Sequence, residues 1–298
     1  MKILLFGKNG QVGCELQRSL ALLGEVIASD FDGANSVDLC DANRIESLIR
    51  RVSPNIIVNA AGYTAVDRAE AEPALAHAIN AGAPAVMATE AAKLNAWLVH
   101  YSTDYIFDDS GVAPWLETSA TGPLSVYGKT KLDGEIAVAK WHRHIIMRTS
   151  WVYAADGDNF AKKVLRLAQE RDGLKIISDQ IDAPTGAELL ADATMLMLRA
   201  LQAAPALVGT YHIAASGETN WHAYAQHVIE YARDAGTPIK VKPENIAAVP
   251  SSVFPTPAQR PLNSRMDTTK FQTVFGLHLP DWRIGVDRML TEYLFLKY

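Results

Sequence analysis

The 298-residue chain contains little cysteine, and this scarcity excludes several classes of protein. Its two cysteines, Cys14 and Cys40, are too few for a disulfide framework, and neither lies in a CxxC or another metal-ligand spacing. We predict that both are buried thiols in a reducing compartment. The eight histidines are scattered and form no HExxH motif, which disfavours a catalytic zinc site.

Long apolar runs and a basic charge balance are also missing. The first apolar run, Ile3 to Phe6, ends at Gly7, far short of the roughly 20 residues that cross a bilayer. The formal net charge of -5 argues against nucleic acid, which usually requires a basic face. We therefore expect a cytoplasmic protein that binds a small molecule, with neither nucleic acid nor a membrane as its partner.

Short apolar segments alternate with amphipathic ones along the chain. Strands are predicted in KILLFG, EVIASD, SVDL, NIIVNAAG, WLVHYST, HIIMRTSWV and LKIISDQ, and helices over residues 11–23, 42–51, 73–93, 126–140 and 160–169. This alternation predicts an α/β fold with a doubly wound parallel sheet of the Rossmann type. Later, GTYHIA looks like one more strand, and AAVPSSVFPTPAQRPLNS, residues 247–264 with four prolines, indicates an ordered loop.

The change of pattern near residue 150 suggests two parts. We expect a dinucleotide-binding domain over residues 1–150, completed by parts of 174–214. Residues 151–298 would mainly form a smaller C-terminal substrate-binding lobe.

A glycine-rich turn, GKNGQVG, follows the first predicted strand. Glycines at such a turn allow backbone amides to approach a pyrophosphate, and the start of the next helix adds partial positive charge. The turn therefore predicts a dinucleotide site that includes Gly7, Asn9, Gly10, Gln11, Val12 and Gly13.

Acidic residues follow the next two predicted strands. Asp30 lies where a Rossmann fold binds the adenosine ribose, and its charge would favour NADH by repelling a 2'-phosphate. Lys8 could offset that repulsion and Ser29 adjoins the acid, so the choice between NADPH and NADH stays open. Asp38 and Leu39 could meet the adenine, although Asp38 could equally cap the following helix.

The segment SVYGKTK places Tyr127 and Lys131 four positions apart, on one face of a predicted helix. A free phenol titrates at about 10, and an adjacent ammonium favours the phenolate and lowers that pKa. A phenol and a hydroxyl such as that of Thr103 can share the negative charge that builds on a carbonyl oxygen during reduction. The spacing by itself is also compatible with an ordinary helix start.

Several motifs in order resemble the extended short-chain dehydrogenase/reductase superfamily: the glycine turn, NAAG at 59–62, YSTDYIF at 101–107 and YGKTK at 127–131. Within it, the chain looks most like the dTDP-4-dehydrorhamnose reductase family over nearly its whole length. This closer similarity is carried by AAGYTAVDRAE, INAGAP, RTSWVY, NFAKKVLRL, DQIDAPT and RPLNS.

The resemblance implies that NADPH or NADH reduces the 4-keto group of dTDP-4-dehydro-L-rhamnose. It assigns proton donation to Tyr127, orientation of the nicotinamide ribose to Lys131 and a bond to the substrate oxygen to Thr103. It also implies that the cofactor site includes Ala60, Ala61, Gly62, Tyr63, Tyr127 and Lys131. The implied substrate contacts are Thr103, Asp104, Tyr105, Tyr127, Trp151 and Arg260, with Ser264 as a further candidate.

Glu188 and Asp192 lie four positions apart on one helix face. Some reductases of the family are magnesium-linked dimers, so the resemblance implies a homodimer with Glu15, Glu188 and Asp192 as candidate ligands of a structural Mg²⁺. The alternative for these residues is a solvated acidic face.

Two other functions compete with the reductase. One is another nucleotide-sugar epimerase, dehydratase or epimerase-reductase of the superfamily. This function is disfavoured because both cysteines lie in the nucleotide-binding half of the chain and because the residues after Thr103 are Asp104 and Tyr105. The other is a non-catalytic NAD(P)-binding regulatory subunit, which the complete set of Thr103, Tyr127 and Lys131 disfavours.

Overall fold

The centre of the computed structural model, which describes residues 1–295, is a six-stranded parallel sheet. The strands of the chain are β1 (Lys2–Phe6), β2 (Glu25–Ser29), β3 (Ile56–Asn59), β4 (Trp97–Thr103), β5 (His144–Thr149), β6 (Val152–Tyr153), β7 (Leu174–Ile177), β8 (Ile181–Asp182), β9 (Thr185–Gly186), β10 (Gly209–His212), β11 (Thr219–Asn220) and β12 (Ile246–Val249). The order in the central sheet is β10-β5-β4-β3-β1-β2, and every neighbouring pair is parallel. The predicted doubly wound α/β fold is confirmed.

Helices cover both faces of this sheet. They are α1 (Gln11–Leu20), α2 (Ala42–Val52), α3 (Val66–Ala71), α4 (Pro73–His77), α5 (Ala83–Leu94), α6 (Val126–Ala139), α7 (Phe160–Glu170), α8 (Ala187–Ala203), α9 (Trp221–Asp234), α10 (Thr269–Phe275) and α11 (Trp282–Phe295). Successive side chains of a strand point to opposite faces, so Ile3 and Leu5 pack with α1 and α8, whereas Leu4 and Phe6 pack with α2 and α5. Among residues 1–295, no helix is both long and apolar enough to cross a membrane.

A second hydrophobic core lies in the C-terminal part of the chain. It is built by α7, α9 and α11, and Val164, Val228 and Trp282 are among its buried side chains. Short sheets border it: β7 pairs in parallel with β12, β8 pairs antiparallel with β11, and β6 pairs in parallel with β9. Of these small sheets, the pair of β7 and β12 lines the cavity described below.

The edge strand of the central sheet comes from far along the sequence. The chain leaves β5 at Thr149, passes through α7 and several short strands, and returns through α8 to β10 at Gly209. Leu190 and Met197 of α8 share a core with α1. The sheet and the C-terminal core are therefore interleaved in sequence.

The prediction of a strand at SVDL is wrong. Residues 36–39 form an irregular segment in which Val37 is buried and its amide donates to the carbonyl oxygen of Asp30 at 2.8 Å. A single valine that anchors a loop gives the same short pattern as a strand. LKIISDQ does contain a strand, β7, but this strand lies outside the central sheet. The proline-rich stretch also differs from the prediction of a loop, because residues 247–249 belong to β12.

Two predicted helices differ in detail. Helix α1 ends at Leu20, because the amides of Leu22 and Leu23 bond three residues back in a tight turn. The stretch predicted as a helix over residues 73–93 consists of α4, a π turn at Ala78–Gly82 and α5. Such a π turn often occurs at a functional site, and this one contains Asn80.

Both cysteines are exposed, so the prediction of buried thiols is wrong. Helix α1 turns Leu16 and Leu20 into the core and leaves Cys14 outside, and Cys40 lies in the turn before α2. Free cysteine is usually buried as a small apolar residue, but here the neighbouring leucines and isoleucines occupy the core positions.

Candidate active site

The turn after β1 depends on its glycines. Gly7 has a φ of +88°, and a Cβ there would lie 2.7 Å from the backbone nitrogen of Ala61. A Cβ at Gly13 would lie 1.8 Å from the carbonyl oxygen of Gly7, so α1 packs directly on the turn. Gly10 precedes α1 without a side-chain cap, as suits a helix start that receives an anion. This cradle, which also contains Asn9, Gln11 and Val12, fits a dinucleotide pyrophosphate.

Two acids, not one, lie at the end of β2. The carboxylate of Asp30 accepts the amides of Asn9 at 3.0 Å and Phe31 at 2.8 Å. Asp32 forms an ion pair with Lys8 at 3.2 Å and accepts from the Asn9 side chain at 3.1 Å, and these hydrogen bonds lower its pKa. Sequence analysis missed Asp32, although it lies two positions after Asp30. The adjoining Ser29 is buried and donates to a backbone carbonyl, so its hydroxyl is already committed.

Asp38 and Leu39 lie in the irregular segment and not at a strand end. The Asp38 carboxylate accepts the amide of Cys40 at 2.9 Å, which forms a local turn. The cap of α2 is Asp41, which accepts the amide of Arg44 at 3.1 Å, so the capping alternative for Asp38 is wrong. Asp38 is exposed beside the turn.

The loop after β3 is fixed by a buried asparagine. Asn80, in the π turn, accepts the amide of Tyr63 at 2.8 Å and donates to the Tyr63 carbonyl and to the Thr130 hydroxyl, both at 3.1 Å. It therefore ties residues 60–63 to α6. A Cβ at Gly62 would lie 3.2 Å from the Asn80 side chain and 4.0 Å from Lys131 Nζ. Asn80 belongs to the motif INAGAP, but its role could not be predicted because it depends on this long-range contact.

Thr103, Tyr127 and Lys131 converge at the carboxyl end of β4. Thr103 is the last residue of β4, and Tyr127 lies in the first turn of α6, whose cap Ser125 accepts the amide of Gly128 at 3.1 Å. The phenol of Tyr127 lies near the Thr103 hydroxyl. Lys131 is 6% exposed and donates to the carbonyl oxygen of Tyr101 at 2.5 Å.

Burial dominates the protonation of these residues. It raises the pKa of Tyr127 to about 12; the nearby Thr103 hydroxyl opposes this rise, and the charge of Asp104 adds to it. Burial lowers the pKa of Lys131 to about 8, while the carboxylate of Glu135 acts to raise it. Tyr127 is therefore a protonated phenol at neutral pH, as a proton donor must be.

A cavity of about 1600 Å³ opens beside these residues, between the sheet and the C-terminal core. Tyr105 lines it and contacts Tyr127 edge to face, with ring centroids 5.6 Å apart. Four cations also line it: Lys163, Arg171, Lys175 and Arg260. A cavity of this size with several cations suits a ligand that carries phosphate groups.

The predicted tryptophan is stacked against a second one. Trp151 adopts a φ of +42°, an uncommon conformation for a bulky residue, and its ring lies 3.6 Å from that of Trp221 at an interplanar angle of 17°. Trp221 lines the cavity and donates to the Gln180 side chain at 2.9 Å. Sequence analysis missed Trp221, because its neighbours in the sequence belong to an ordinary amphipathic helix.

Arg260 lies at the cavity wall, paired with Asp67 at 2.8 Å. Ser264 is buried beside Asp104, and Asp104 is 2% exposed. The Thr103 hydroxyl and Asp104 Oδ1 are 3.0 Å apart. Asp104 therefore contacts Thr103 directly.

The candidate magnesium ligands are paired with arginines. Arg18 contacts Glu15 at 3.1 Å and Asp192 at 3.0 Å, and Arg288 contacts Glu188 at 3.0 Å. In the part of the chain that the structure describes, no group of three or more histidine, cysteine or acidic side chains could hold a metal ion.

Comparison with known proteins agrees with this geometry. Residues 1–295 match the family model described as RmlD substrate binding domain. The chain is 53% identical over 297 residues to dTDP-4-dehydrorhamnose reductase of Escherichia coli strain K12, and the match covers 98% of each chain.

Solved structures show the same similarity. A dTDP-4-dehydrorhamnose reductase of Clostridium acetobutylicum has a TM-score of 0.87 and 32% identity, with 97% of this chain and 98% of that chain covered. The enzyme of Bacillus anthracis in complex with NADP has a TM-score of 0.86 and 30% identity, with 98% and 99% covered. The chain therefore belongs to the RmlD substrate binding domain family, together with these dTDP-4-dehydrorhamnose reductases.

Proposed function

We propose that this protein is a dTDP-4-dehydrorhamnose reductase, which reduces the 4-keto group of dTDP-4-dehydro-L-rhamnose to give dTDP-L-rhamnose. The observation that carries the proposal is the convergence of Thr103, Tyr127 and Lys131 next to a glycine cradle on one side and a cation-lined cavity on the other. Relatives that are 53% identical over nearly the full chain bear this name.

Each of the three residues has a distinct task in the reduction. The bound nicotinamide supplies the hydride. Tyr127, protonated because of its burial, donates its proton to the oxygen of the former ketone. The Thr103 hydroxyl donates a hydrogen bond to that oxygen as negative charge develops on it. Lys131, held at the Tyr101 carbonyl, binds the nicotinamide ribose and adds a positive charge nearby.

The cofactor is NADPH or NADH. Gly7, Gly10 and Gly13 hold the pyrophosphate, and residues 60–63 border the nicotinamide half. At the ribose end, Asp30 and Asp32 repel a 2'-phosphate and Lys8 attracts one, so the balance of these three charges sets the preference.

The cavity accepts the dTDP sugar. We propose that Arg260, together with Lys163 and Arg171, binds the diphosphate, since guanidinium groups match phosphate oxygens. The sugar lies next to Asp104, Tyr105 and Tyr127, where its ketone meets the proton donor. Trp151 contributes to this wall through its stack on Trp221.

We also propose that the protein is a homodimer, with Mg²⁺ bound near Glu15, Glu188 and Asp192 only where a second subunit adds ligands. Supporting this, Glu15 and Asp192 share one arginine, so their carboxylates already face each other. Light scattering during gel filtration, with Mg²⁺ and with EDTA, tests the assembly. A monomer under both conditions would contradict it.

The test of the function is the loss of reduced-nicotinamide absorbance when dTDP-4-dehydro-L-rhamnose is added to the purified protein, with NADH and NADPH in parallel. Rapid oxidation and formation of dTDP-L-rhamnose are expected. UDP-4-keto sugars serve as the control for base selection. Cofactor binding without oxidation would instead favour another nucleotide-sugar enzyme or a regulatory subunit.

A further inference from the structure

A buried glutamine in the wall of the cavity has a fixed orientation. Gln180 lines the cavity and is only 6% exposed. Its side-chain oxygen accepts the indole N–H of Trp221 at 2.9 Å. Because an indole nitrogen can donate but not accept, the amide oxygen of Gln180 must face Trp221, and the amide nitrogen points away from the indole.

The amide nitrogen of Gln180 carries two protons for which the protein provides no acceptor. Among residues 1–295, the side chain of Gln180 makes only the bond to Trp221. Its Nε2 atom is not fully enclosed by protein, so it reaches the cavity. Unbonded donors on a buried amide cost free energy. The acceptor for these protons therefore comes from the contents of the cavity.

Hydrogen bonds on both sides of Gln180 hold its backbone in place. The carboxylate of Asp179 accepts the amide of Ser251 at 2.8 Å and its hydroxyl at 3.0 Å. On the other side, the amide of Ile181 donates to the carbonyl oxygen of Leu262 at 2.8 Å. The Gln180 amide is thus oriented before a ligand arrives, which lowers the entropy lost on binding.

The position of Gln180 relates it to the sugar end of the cavity. Thr149 of β5 lies opposite Thr103 of β4 in the parallel sheet. Trp151 follows two residues later and stacks on Trp221, with ring centroids 3.6 Å apart. The indole pair that orients Gln180 therefore starts from the strand end that carries Thr103.

The chemistry of the amide favours a neutral acceptor. The cavity already offers Lys163, Arg171 and Arg260 to a diphosphate, and charged donors bind phosphate oxygens more strongly than an amide does. Under the proposed function, Thr103 and Tyr127 bond the ketone oxygen at C4 of the sugar. The hydroxyl oxygens at C2 and C3 remain, and a hydroxyl accepts hydrogen bonds readily.

We propose that Gln180 is a specificity-determining residue whose Nε2 donates to a hydroxyl oxygen at C2 or C3 of the sugar, while Trp221 fixes the amide. The inference rests on the proposed function. A 4-keto sugar nucleotide that lacks this hydroxyl is rejected, because it leaves the buried amide unbonded.

The first test measures binding without turnover. Isothermal titration calorimetry gives the dissociation constants of dTDP-L-rhamnose and of dTDP for the wild type and for Gln180→Met, which has a similar length but cannot donate. The dissociation constant of dTDP-L-rhamnose should rise about 5- to 50-fold and that of dTDP less than about twofold. An equal rise for both ligands would place the contact on the nucleotide and overturn the proposal.

Gln180→Glu tests the donor with the indole bond retained, since a carboxylate still accepts from Trp221. A sugar hydroxyl can also donate, so the carboxylate can bond it, whereas a phosphate would be repelled. The dissociation constant of dTDP-L-rhamnose should therefore rise less in Gln180→Glu than in Gln180→Met. A larger rise would overturn the proposal. Gln226→Met, exposed on α9, is the matched control and should bind both ligands as the wild type does.

The second test uses the 2-deoxy and 3-deoxy forms of the 4-keto substrate. Relative to the full substrate, the wild type should lose at least about tenfold in kcat/KM on one of the two forms. Gln180→Met should discriminate against that form by less than about threefold, and its KM for the full substrate should rise while kcat changes little. Unchanged discrimination by Gln180→Met would contradict the contact.

The two proposals fail in different ways. If the wild type does not bind dTDP-L-rhamnose, the proposed function fails and the contact fails with it. If the wild type binds and reduces the sugar but Gln180→Met and Gln180→Glu bind dTDP-L-rhamnose equally well, only the contact of Gln180 is disproved. Gln180→Glu and the deoxy substrates decide the question if Gln180→Met does not fold.

Discussion

Tyr127 and Lys131 owe their protonation states to burial more than to each other. The pKa of Tyr127 is raised to about 12 and that of Lys131 is lowered to about 8, and burial is the largest cause of both shifts. The ammonium of Lys131 donates to the Tyr101 carbonyl at 2.5 Å. The spacing of four residues thus brings the two groups to one site, while the surrounding protein sets their titration.

Tyr127→Phe should lower kcat by about 10²- to 10⁴-fold, because the general acid is removed. The dissociation constant of NADPH, measured by fluorescence, should change less than about threefold, since the ring and helix α6 are retained. Tyr231→Phe, which removes a surface phenol that bonds Thr291, is the control and should behave as wild type. Full turnover by Tyr127→Phe would contradict the assigned role.

The pH dependence of kcat/KM should follow Lys131. Its pKa of about 8 lies below the ordinary lysine value, so the ammonium is present below pH 8 and is lost as the pH rises above it. Activity should therefore fall on the alkaline side of about pH 8, while Tyr127 is still protonated. A steady-state profile between about pH 6 and 10 measures this limb. A flat profile through that range would contradict the assignment.

Helix α6 carries Tyr127, the proposed proton donor, and a glycine sets the position of the helix. A Cβ at Gly128 would lie 2.1 Å from the carbonyl oxygen of Tyr105, so the first turn of α6 rests directly on the segment that follows Thr103. This contact, together with the cap at Ser125, positions Tyr127 near Thr103.

Gly128→Ala should therefore lower kcat at least about tenfold by moving the first turn of α6, since small misplacements of reacting groups are costly. Gly82→Ala is the control, because a Cβ there would lie 3.9 Å from the His77 carbonyl oxygen, an ordinary van der Waals contact. Kinetics and melting temperatures of both variants check this. Equal activity of Gly128→Ala and Gly82→Ala would show that the contact between Gly128 and Tyr105 can shift without an effect on catalysis.

Elements with strong local signals could be predicted from the sequence. Strands β1, β3, β4 and β5 contain continuous apolar runs, and the glycine turn and SVYGKTK become informative when they are read in order with the other motifs. The prediction of a strand at SVDL was wrong because one buried valine in a loop gives the same sequence pattern as a short strand. Asn80 and Trp221 could not be assigned, because the contacts that give them a place in the site are with Thr130 and Trp151, 50 and 70 positions away.

The molecule as a whole combines a cofactor-binding sheet with a separate C-terminal core. Trp282, 2% exposed, packs against Tyr224 and His227 in that core, away from the residues at the glycine turn. The cavity lies where the two parts meet, so the C-terminal core shapes the substrate site more than the cofactor site.

Trp282→Ala should lower the free energy of unfolding by about 3–5 kcal/mol, as for other large buried aromatic residues. We expect a raised KM for the sugar and a nearly unchanged dissociation constant for NADPH. Denaturant unfolding and fluorescence titration measure the two quantities. A loss of cofactor affinity in parallel with stability would show that the two parts are not energetically separable.

The return of the chain to the sheet edge has a consequence during synthesis. Strand β10 pairs with β5, yet about 60 residues separate Thr149 from Gly209. At about 5–20 residues per second, a ribosome needs roughly 3–12 s to make them. Throughout that interval the emerging β5 presents an unpaired edge, a template for association with other nascent chains. The nascent protein thus passes through a stage at which it depends most on chaperones.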